Sequence, residues 1–511
     1  MAKAKNYAEH LAKGSLLASV LFLIGTIIGY GLRIYLSRSL STSDYGLIYA
    51  ILAFVGFFTV FRELGLNSTI AIFIPKFLHK KEFWRIKSSL YFVILVQTFV
   101  SLIVILPIFM LSDEIAIIFF KTSLASLPLK LICISFMASI PFDAIRCAYQ
   151  GMQDIKIFSI IEPLRLSILF IVSVILISLN VVGVAYGYAI AAIICSIVFF
   201  MLFAKRYSKI FNEKLNFSKS KEILKFGSII LSGSVFGAVL SYIDTILLTF
   251  FHTSVDVGLY QVALPTAQLI PFLVTPLSVV LLPFISELWS KKAKKVLNNT
   301  ITFISKFSFV VIIPEIIIMI SFPDIIIRMI FGEKFVLESA IYTLQILSIG
   351  MLFFTLVSIL RLVFNGIEKP MLNTKLMSII SIANLAINLL LIPIFGIIGA
   401  ATAFLISYLA GLLISLHYMK RYVKWSLQPK NIFKTVIGSI ITFILIYYTK
   451  LILNIDPWFE LIVSLTIGFV FYFIFIFQAG IINKHDIKIL LATKIHIPKK
   501  FTNFIMKIAK D

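Results

Sequence analysis

Charged residues are scarce in this 511-residue chain. Only 14% of it is Asp, Glu, Lys or Arg, where soluble proteins carry about 25%. That shortage, with 60% hydrophobic residues and a mean hydropathy of +1.04, excludes a soluble globular protein. Acidic residues are the scarcer sign, 23 against 46 basic, giving a net charge of +23. The basic residues fill short gaps between apolar runs, which is where a membrane protein meets water and anionic lipid; no nucleic-acid partner is expected. Cysteine is nearly absent. Cys133, Cys147 and Cys195 all fall in apolar segments, so no extracellular disulfide framework is implied. The chain has no Gly-x-x-x-x-Gly-Lys-Ser/Thr loop for ATP and no His-Glu-x-x-His, and its six histidines are scattered. The outer gaps leave little room for the extramembrane site of a glycosyltransferase or ligase, so a non-enzyme without resident metal or cofactor is expected.

What is present is a series of long apolar runs, each near the roughly 20 residues that cross a bilayer as a helix. Fourteen spans are expected: 14–40, 46–75, 89–111, 125–150, 157–179, 182–204, 226–251, 258–289, 301–322, 339–366, 374–393, 397–419, 432–452 and 459–480. The runs are continuous, unlike the alternating strands of an outer-membrane barrel. The basic stretch Met1 to Lys13 leads into the first run without a cleavage site, so a retained first helix is expected. Connections after odd-numbered spans hold few basic residues, namely Arg38, Lys121, Arg328, Lys334 and Lys450. Those after even-numbered spans hold clusters such as Lys76, Lys80, Lys81, Arg85 and Lys87, or Lys291, Lys292, Lys294 and Lys295. Both termini are therefore expected to be cytoplasmic in the cell membrane.

The chain also repeats itself. Asp44-Tyr45-Gly46-Leu47 recurs as Asp256-Val257-Gly258-Leu259, 212 residues later. Arg146-Cys147-Ala148-Tyr149-Gln150-Gly151 matches Arg361-Leu362-Val363-Phe364-Asn365-Gly366 at a shift of 215, and Lys205-Arg206-Tyr207 matches Lys420-Arg421-Tyr422 at the same shift. Gly183 pairs with Gly396 at 213. Constant spacing and order imply two six-helix halves, spans 1–6 and 7–12, with spans 13 and 14 added. Because six is even, the halves enter the membrane in the same direction and form a parallel repeat with the substrate path between them. The expected organisation is an amino-terminal lobe at 1–210, a carboxyl-terminal lobe at 211–425, additional helices at 426–482 and a basic cytoplasmic tail at 483–511.

The helix count, the Asp-x-Gly-Leu turns, Arg62-Glu63-Leu64-Gly65-Leu66-Asn67, the Tyr-Gln-Gly and Phe-Asn-Gly ends and Gly396-Ile397-Ile398-Gly399-Ala400-Ala401 carry a family resemblance. Over about residues 10–480 the chain resembles the polysaccharide-transporter branch of the multidrug/oligosaccharidyl-lipid/polysaccharide (MOP) exporter superfamily, which includes oligosaccharide flippases. The resemblance implies an all-α integral membrane protein of 14 transmembrane helices, with its two lobes in a V around a central cavity. It further implies alternating access that carries a polyprenyl phosphate or pyrophosphate oligosaccharide from the cytoplasmic to the outer leaflet for polysaccharide or glycan biosynthesis. Membrane lipids, that substrate, and glycosyltransferases or a polymerase of the same pathway are the partners such a carrier implies.

A path for such a substrate needs cationic, aromatic and amide groups. Charges within spans cost on the order of 2.5–3.5 kcal/mol each, so those present are candidates. Arg62 is either a cavity-facing phosphate ligand or half of an interhelical ion pair. Arg146, Tyr149 and Gln150, spaced i, i+3 and i+4, are expected on one helical face, as are Arg361, Phe364 and Asn365. Guanidinium suits bidentate phosphate binding and an aromatic ring can stack on sugar. Both arginines could instead snorkel to headgroups, and Asp143 could pair with Arg146. Arg33 either completes the outward path or anchors at the interface. Asp244 and Glu315, acids in apolar surroundings, are candidates for coupling to H+ or Na+; a hydrogen-bonded structural acid is the alternative. Glu162 and Arg165 read as a local pair. Pro265, Pro271 and Pro276 in span 8 are candidate hinges, whereas span 2 has no proline before Pro75.

Five span arginines (Arg33, Arg62, Arg146, Arg165 and Arg361) favour an anionic substrate over the main alternative, a cation-coupled multidrug exporter of the same superfamily. A membrane enzyme of polysaccharide assembly is the second alternative. The tail from Lys484 to Lys510 reads either as a basic amphipathic helix on anionic lipid or as a solvated charge run.

Overall fold

The computed structural model describes residues 2–218, 220–272, 274–423, 429–453 and 457–483, which form helices and, among the described residues, no strand. The expected basic tail lies outside them. The first ten helices are α1 (Ala2–Ser39), α2 (Thr42–Glu63), α3 (Leu66–His79), α4 (Phe83–Met110), α5 (Ser112–Ile118), α6 (Ser126–Gly151), α7 (Ile155–Ile175), α8 (Asn180–Arg206), α9 (Ser208–Phe211) and α10 (Ser220–Phe251). There follow α11 (Ser254–Ala267), α12 (Leu269–Phe272), α13 (Thr275–Ser290), α14 (Lys294–Ser321), α15 (Pro323–Phe331), α16 (Glu338–Gly366), α17 (Pro370–Met419), α18 (Pro429–Leu453) and α19 (Pro457–Gln478).

Hydrocarbon offers backbone groups no partner, so an apolar run must satisfy them internally, and the helix does so. Eleven helical stretches among the described residues are long and apolar enough to cross a membrane, and Ile462–Gln478 is a shorter apolar helix. The 50-residue α17 would measure about 75 Å if straight, more than twice a bilayer core. It is two helices. Gly396 sits at φ 55° and ψ −130°, and the chain doubles back so that the Lys375 ammonium lies 5.5 Å from the Tyr418 ring.

Two compact units divide the chain. One comprises residues up to Gln261 with Ile330–Phe335 and Asn388–Ile397; the other comprises Val262–Met329, Val336–Ile387 and the described residues from Ile398 onward. The first is cored by α3, α4, α6, α7 and α8 around Leu66, Ile70, Ile86, Phe142, Ile145 and Tyr149. In the second, Val310, Tyr472, Ile476 and Ile481 form a buried cluster.

Two expected spans are not single helices. Span 2 breaks at Leu64 and Gly65, with φ of 47° and 68°. The reason is close packing: a Cβ on Gly65 would lie 2.4 Å from the Gly227 carbonyl of α10, and one on Gly227 would lie 2.8 Å from the Leu64 carbonyl. A left-handed turn lets the two backbones meet there. Span 8 is divided into α11, α12 and α13, with Pro271 in α12 and Pro276 within the first two positions of α13. Thus both second spans bend, one at a glycine and one among prolines.

The backbone itself carries the repeat. Left-handed residues recur at Lys81 and Lys292, at Lys121 and Gly332, at Gln153 and Glu368, and at Asn180 and Gly396. Asn180, at φ 51° and ψ −131°, has the conformation of Gly396. Gly396 is therefore the counterpart of Asn180, not of Gly183, which lies inside α8. The equivalence aligns Gly183 with Gly399 instead.

The repeated Asp-x-Gly-Leu turns are helix starts. Ser41 Oγ accepts the Asp44 amide at 3.0 Å, and Thr253 Oγ1 accepts the Asp256 amide at 3.3 Å. The Asp256 carboxylate in turn accepts the Thr253 amide at 3.2 Å, as in a capping box. The glycines bring the two starts together: a Cβ on Gly46 would lie 1.7 Å from the Ser254 carbonyl, and one on Gly258 2.5 Å from the Thr42 carbonyl. Beside them the halves exchange caps. Lys334 Nζ donates to the Leu40 carbonyl at the end of α1, and Lys121 Nζ donates to the His252 carbonyl at the end of α10 at 3.3 Å. Burial lowers the Lys334 pKa from the ordinary lysine value, yet the position suits a cation because a helix carboxyl end carries partial negative charge.

Gly46→Leu and Gly258→Leu are expected to eliminate monodisperse protein in detergent size-exclusion chromatography. Gly237→Leu should leave it intact, since a Cβ there meets nothing within 4 Å.

Candidate functional site

Helices α2, α6 and α7 bring six charges together in the first unit. Arg62, at the end of α2, is 1% exposed. One Nη donates to the Phe136 carbonyl and to Ser139 Oγ at 3.2 Å, and the other reaches Asp143 Oδ2 at 3.0 Å. Glu63 stands 3.7 Å from the same guanidinium. Arg62 therefore occupies the interhelical pair weighed from sequence, and Asp143 is its partner rather than that of Arg146. Arg146 faces Glu162 at 3.7 Å, and Glu162 also pairs with Arg165 as the i, i+3 spacing predicts. Three arginines meet three acids.

Exposure separates these groups. Arg62 is sealed, while the side chains of Glu63, Arg146 and Glu162 are 41%, 38% and 35% exposed. Half-exposed charges on membrane-crossing helices are too costly to face hydrocarbon. These groups therefore need a polar neighbour on this face, whether water, lipid headgroups or a bound polar molecule. Tyr149 does not join it: the ring is buried against Phe203 at 5.0 Å, whereas Gln150 on the next position is exposed. The i+3 aromatic is core and the i+4 amide is surface.

Arg33 of α1 has a different setting. Its guanidinium lies 4.2 Å from the Tyr49 ring centroid and donates to the carbonyl and side-chain oxygens of Gln261, each at 3.4 Å. Tyr45 also donates to the Gln261 carbonyl at 3.4 Å, and Gln261 Nε2 donates to Thr245 at 2.8 Å. Beside this set, Asp244 accepts from Tyr260 at 2.8 Å and from Asn388 at 2.5 Å. Asp244 is buried and held by neutral donors, with no cation within ion-pair distance of its carboxylate among the described residues.

In the second unit Arg361 keeps the pattern of Arg146, half-buried with Phe364 buried and Asn365 exposed at i+3 and i+4. Its Nε donates to Asn373 Oδ1 at 2.7 Å, and Asn373 donates to Asn365 at 3.1 Å. Among the described residues no carboxylate lies within ion-pair distance of Arg361. Glu315 sits in α14 one residue past Pro314, and its Oε2 is buried with no hydrogen-bond partner among the described residues. Pro265 lies within α11.

Sequence reasoning missed Tyr45, Tyr49, Gln261, Asn373 and Asn388. Gln261 and Tyr45 flank or lie in the repeated Asp-x-Gly-Leu turns, which was a usable signal. Asn373 and Asn388 are amides inside apolar runs, and such groups seek partners across helices.

A helical membrane bundle with internally repeated halves and charges gathered inside its spans is the architecture of MOP-superfamily transporters. The lipid II flippase MurJ in an inward closed conformation superposes with a TM-score of 0.73 at 17% identity, covering 90% of this chain and 98% of MurJ. An inward-facing multidrug resistance MATE family transporter gives 0.64 at 13% identity, covering 79% and 98%. Residues 11–289, more than half of the chain, match the polysaccharide biosynthesis protein family, and the chain belongs to it; residues 228–394 also match the MatE family. It is 29% identical over 500 residues to the uncharacterized membrane protein MJ1068 of Methanocaldococcus jannaschii, covering 94% of this chain and 98% of that one. It is 24% identical over 265 residues to the probable low-salt glycan biosynthesis flippase Agl15 of Haloferax volcanii, covering 51% and 55%.

Removing one partner of a sealed pair leaves an uncompensated charge, at about 3–5 kcal/mol. Arg62→Ala and Asp143→Ala should each lower the thermal midpoint sharply, while the double variant Arg62→Met, Asp143→Leu should recover most of the loss. Equal midpoints for wild type and Arg62→Ala would show that the pair does not bear on stability.

Proposed function

We propose that the protein is a flippase for a polyprenyl phosphate or pyrophosphate oligosaccharide, working by alternating access in the cytoplasmic membrane for surface polysaccharide or glycan biosynthesis. The observation that carries this reading is the pair of arginines Arg33 and Arg361, each partly exposed on a helix long enough to span the bilayer. A phosphate needs such cations to leave water, a glycan needs polar groups, and the lipid tail needs only the surrounding hydrocarbon. Family membership supports the polysaccharide side of the reading, and the Agl15 likeness supports the flippase side. The distribution of basic residues favours cytoplasmic termini, with the capped helix starts at Ser41 and Thr253 on the outer side. In this orientation Arg33, with Tyr45, Tyr49 and Gln261, lies toward the outer end of the first unit, Arg146 and Gln150 toward the cytoplasmic end of that unit, and Arg361 and Asn365 toward the cytoplasmic end of the second. Tyr149 and Phe364, both buried, support their helices from within. Breaks at Gly65 and around Pro265, Pro271 and Pro276 supply the bends that opening requires. The pathway's glycosyltransferases or polymerase are the partners that would supply or consume the substrate.

Asp244 and Glu315 are the coupling candidates for H+ or Na+, with Glu315 the acid whose oxygen lacks a partner. A cation-coupled multidrug exporter is the second reading, favoured by the MatE family match and by these two acids.

Reconstituted into vesicles with a fluorescent polyprenyl-diphosphate oligosaccharide, the wild type should equilibrate the label between leaflets. Arg33→Ala should slow it by about tenfold or more, because a charged hydrogen-bond donor is lost. Asp244→Asn should remove any dependence on an ion gradient. Absence of translocation in the wild type, together with export of organic cations, would overturn the reading in favour of the multidrug exporter.

A further inference from the structure

The structural equivalence of the two halves, a shift of 215 around Arg146 and Arg361, shows where their chemistry diverges. In the first half four arginines are neutralised by acids. Asp143 holds Arg62, Glu162 holds Arg146 and Arg165, and Asp154 at the start of α7 holds Arg206 at 2.7 Å and Tyr207 at 3.0 Å. At the equivalent positions of the second half stand Ser358, Met377 and Lys369. All three acids are gone, and one is reversed in sign. Two of the four arginines remain, Arg361 and Arg421 matching Arg146 and Arg206, while Ile380 stands at the place of Arg165 and no basic residue at that of Arg62; Lys375 is gained where the first half has Ile160.

The geometry of this corner fits an anion. Arg361 is fixed through Nε by Asn373, which is oriented in turn by Asn365, so the guanidinium is held in place while its two Nη groups have no acceptor among the described residues. That outer edge is the fork that meets phosphate in a bidentate way. Lys375 and Arg421 both lie over Tyr418, at 5.5 and 5.7 Å, and Lys369 lies 5.9 Å from Tyr422. None of Arg361, Lys369, Lys375 and Arg421 is within ion-pair distance of a carboxylate among the described residues; Glu368 is exposed beside them and makes no such pair. Lys369 also occupies the N-cap of α17, where the helix dipole is already positive and a carboxylate would be favoured. Like charges gathered so are unfavourable until an anion joins them.

We infer that this corner, built by Arg361, Asn373, Lys369 and Lys375, is the docking site for the phosphate headgroup of the lipid-linked substrate, and that the equivalent corner around Arg146 is not. The inference rests on the flippase reading, and it assigns the headgroup to one repeat. Phosphate is the shared chemistry of three possible sources, namely a polyprenyl phosphate, a bilayer phospholipid and free inorganic phosphate.

The test is binding of a fluorescent polyprenyl monophosphate to the full chain in nanodiscs, measured separately from translocation. Arg361→Gln and Lys369→Asp should each weaken binding by about tenfold or more, as loss of a charged hydrogen-bond partner does. Met377→Glu, which removes no side-chain contact of Arg361 but restores the first half's acid, should weaken it similarly. Arg146→Gln should stay within about threefold of wild type, because it removes a half-exposed group already paired. Equal binding by wild type, Arg361→Gln and Met377→Glu overturns the assignment, as does an Arg146→Gln loss as large as theirs; translocation by the wild type would still stand in either case. If phosphatidylglycerol nanodiscs or inorganic phosphate compete as well as unlabelled polyprenyl phosphate, the corner is a general phosphate site and the substrate assignment falls. Failure of the wild type to translocate, with the variant pattern of binding intact, removes the flippase reading and leaves the phosphate corner.

Discussion

Backbone-to-backbone contact between the first and second sequence halves is the constraint on which the first unit depends. Gly46 of α2 meets the start of α11, and Gly258 of α11 meets the start of α2. Gly65 and Gly227 make a second such contact between the bend after α2 and the helix α10. No side chain can be inserted at these places, so the helices are held at a separation only glycine permits. Association in lipid lacks a hydrophobic driving force and relies on this kind of close packing. The caps exchanged by Lys121 and Lys334 follow from it, because each lysine reaches the end of the other half's first helix.

Electrostatics then decides what the spans can do. The first half meets the cost of most of its span arginines internally, Arg33 reaching Gln261 of the second half instead. Arg62 is sealed with Asp143, and Arg146 and Arg165 share Glu162. The second half keeps Arg361 on an amide clamp instead. A duplicated scaffold has thus kept Arg146/Arg361 and Arg206/Arg421 in both copies and the counter-anions of that corner, Asp143, Asp154 and Glu162, in one. That asymmetry separates a neutralised corner from a positive one on otherwise equivalent helices.

Much of the fold was legible in the residues. Apolar runs of span length, the alternation of basic gaps and the Asp-x-Gly-Leu repeat lead to a helical membrane protein with internal duplication. The break of span 2 was less legible, because Leu64-Gly65 resembles other glycine-containing helix positions until Gly227 is placed against it. The site divided in the same way. The Glu162–Arg165 pair lies within one helix and could be read from spacing, but the choice of Asp143 between Arg62 and Arg146 could not. Tyr149 shows the limit of a face argument: three residues on one turn cover an arc wide enough to run from solvent into core, and burial sorted Arg146 and Gln150 from the ring between them.

By itself, the sequence determined the solvent of this protein, the helical state of its apolar runs and the duplication of its halves. These depend on composition and local period, which are properties of neighbouring residues. Only the tertiary structure decided which glycines touch, which acid neutralises which arginine and which cation is left without one. Those partners are scores or hundreds of residues apart, as with Arg62 and Asp143 or Gly46 and Gly258, and nothing short-range in the chain selects between near-equivalent charges until the helices are packed.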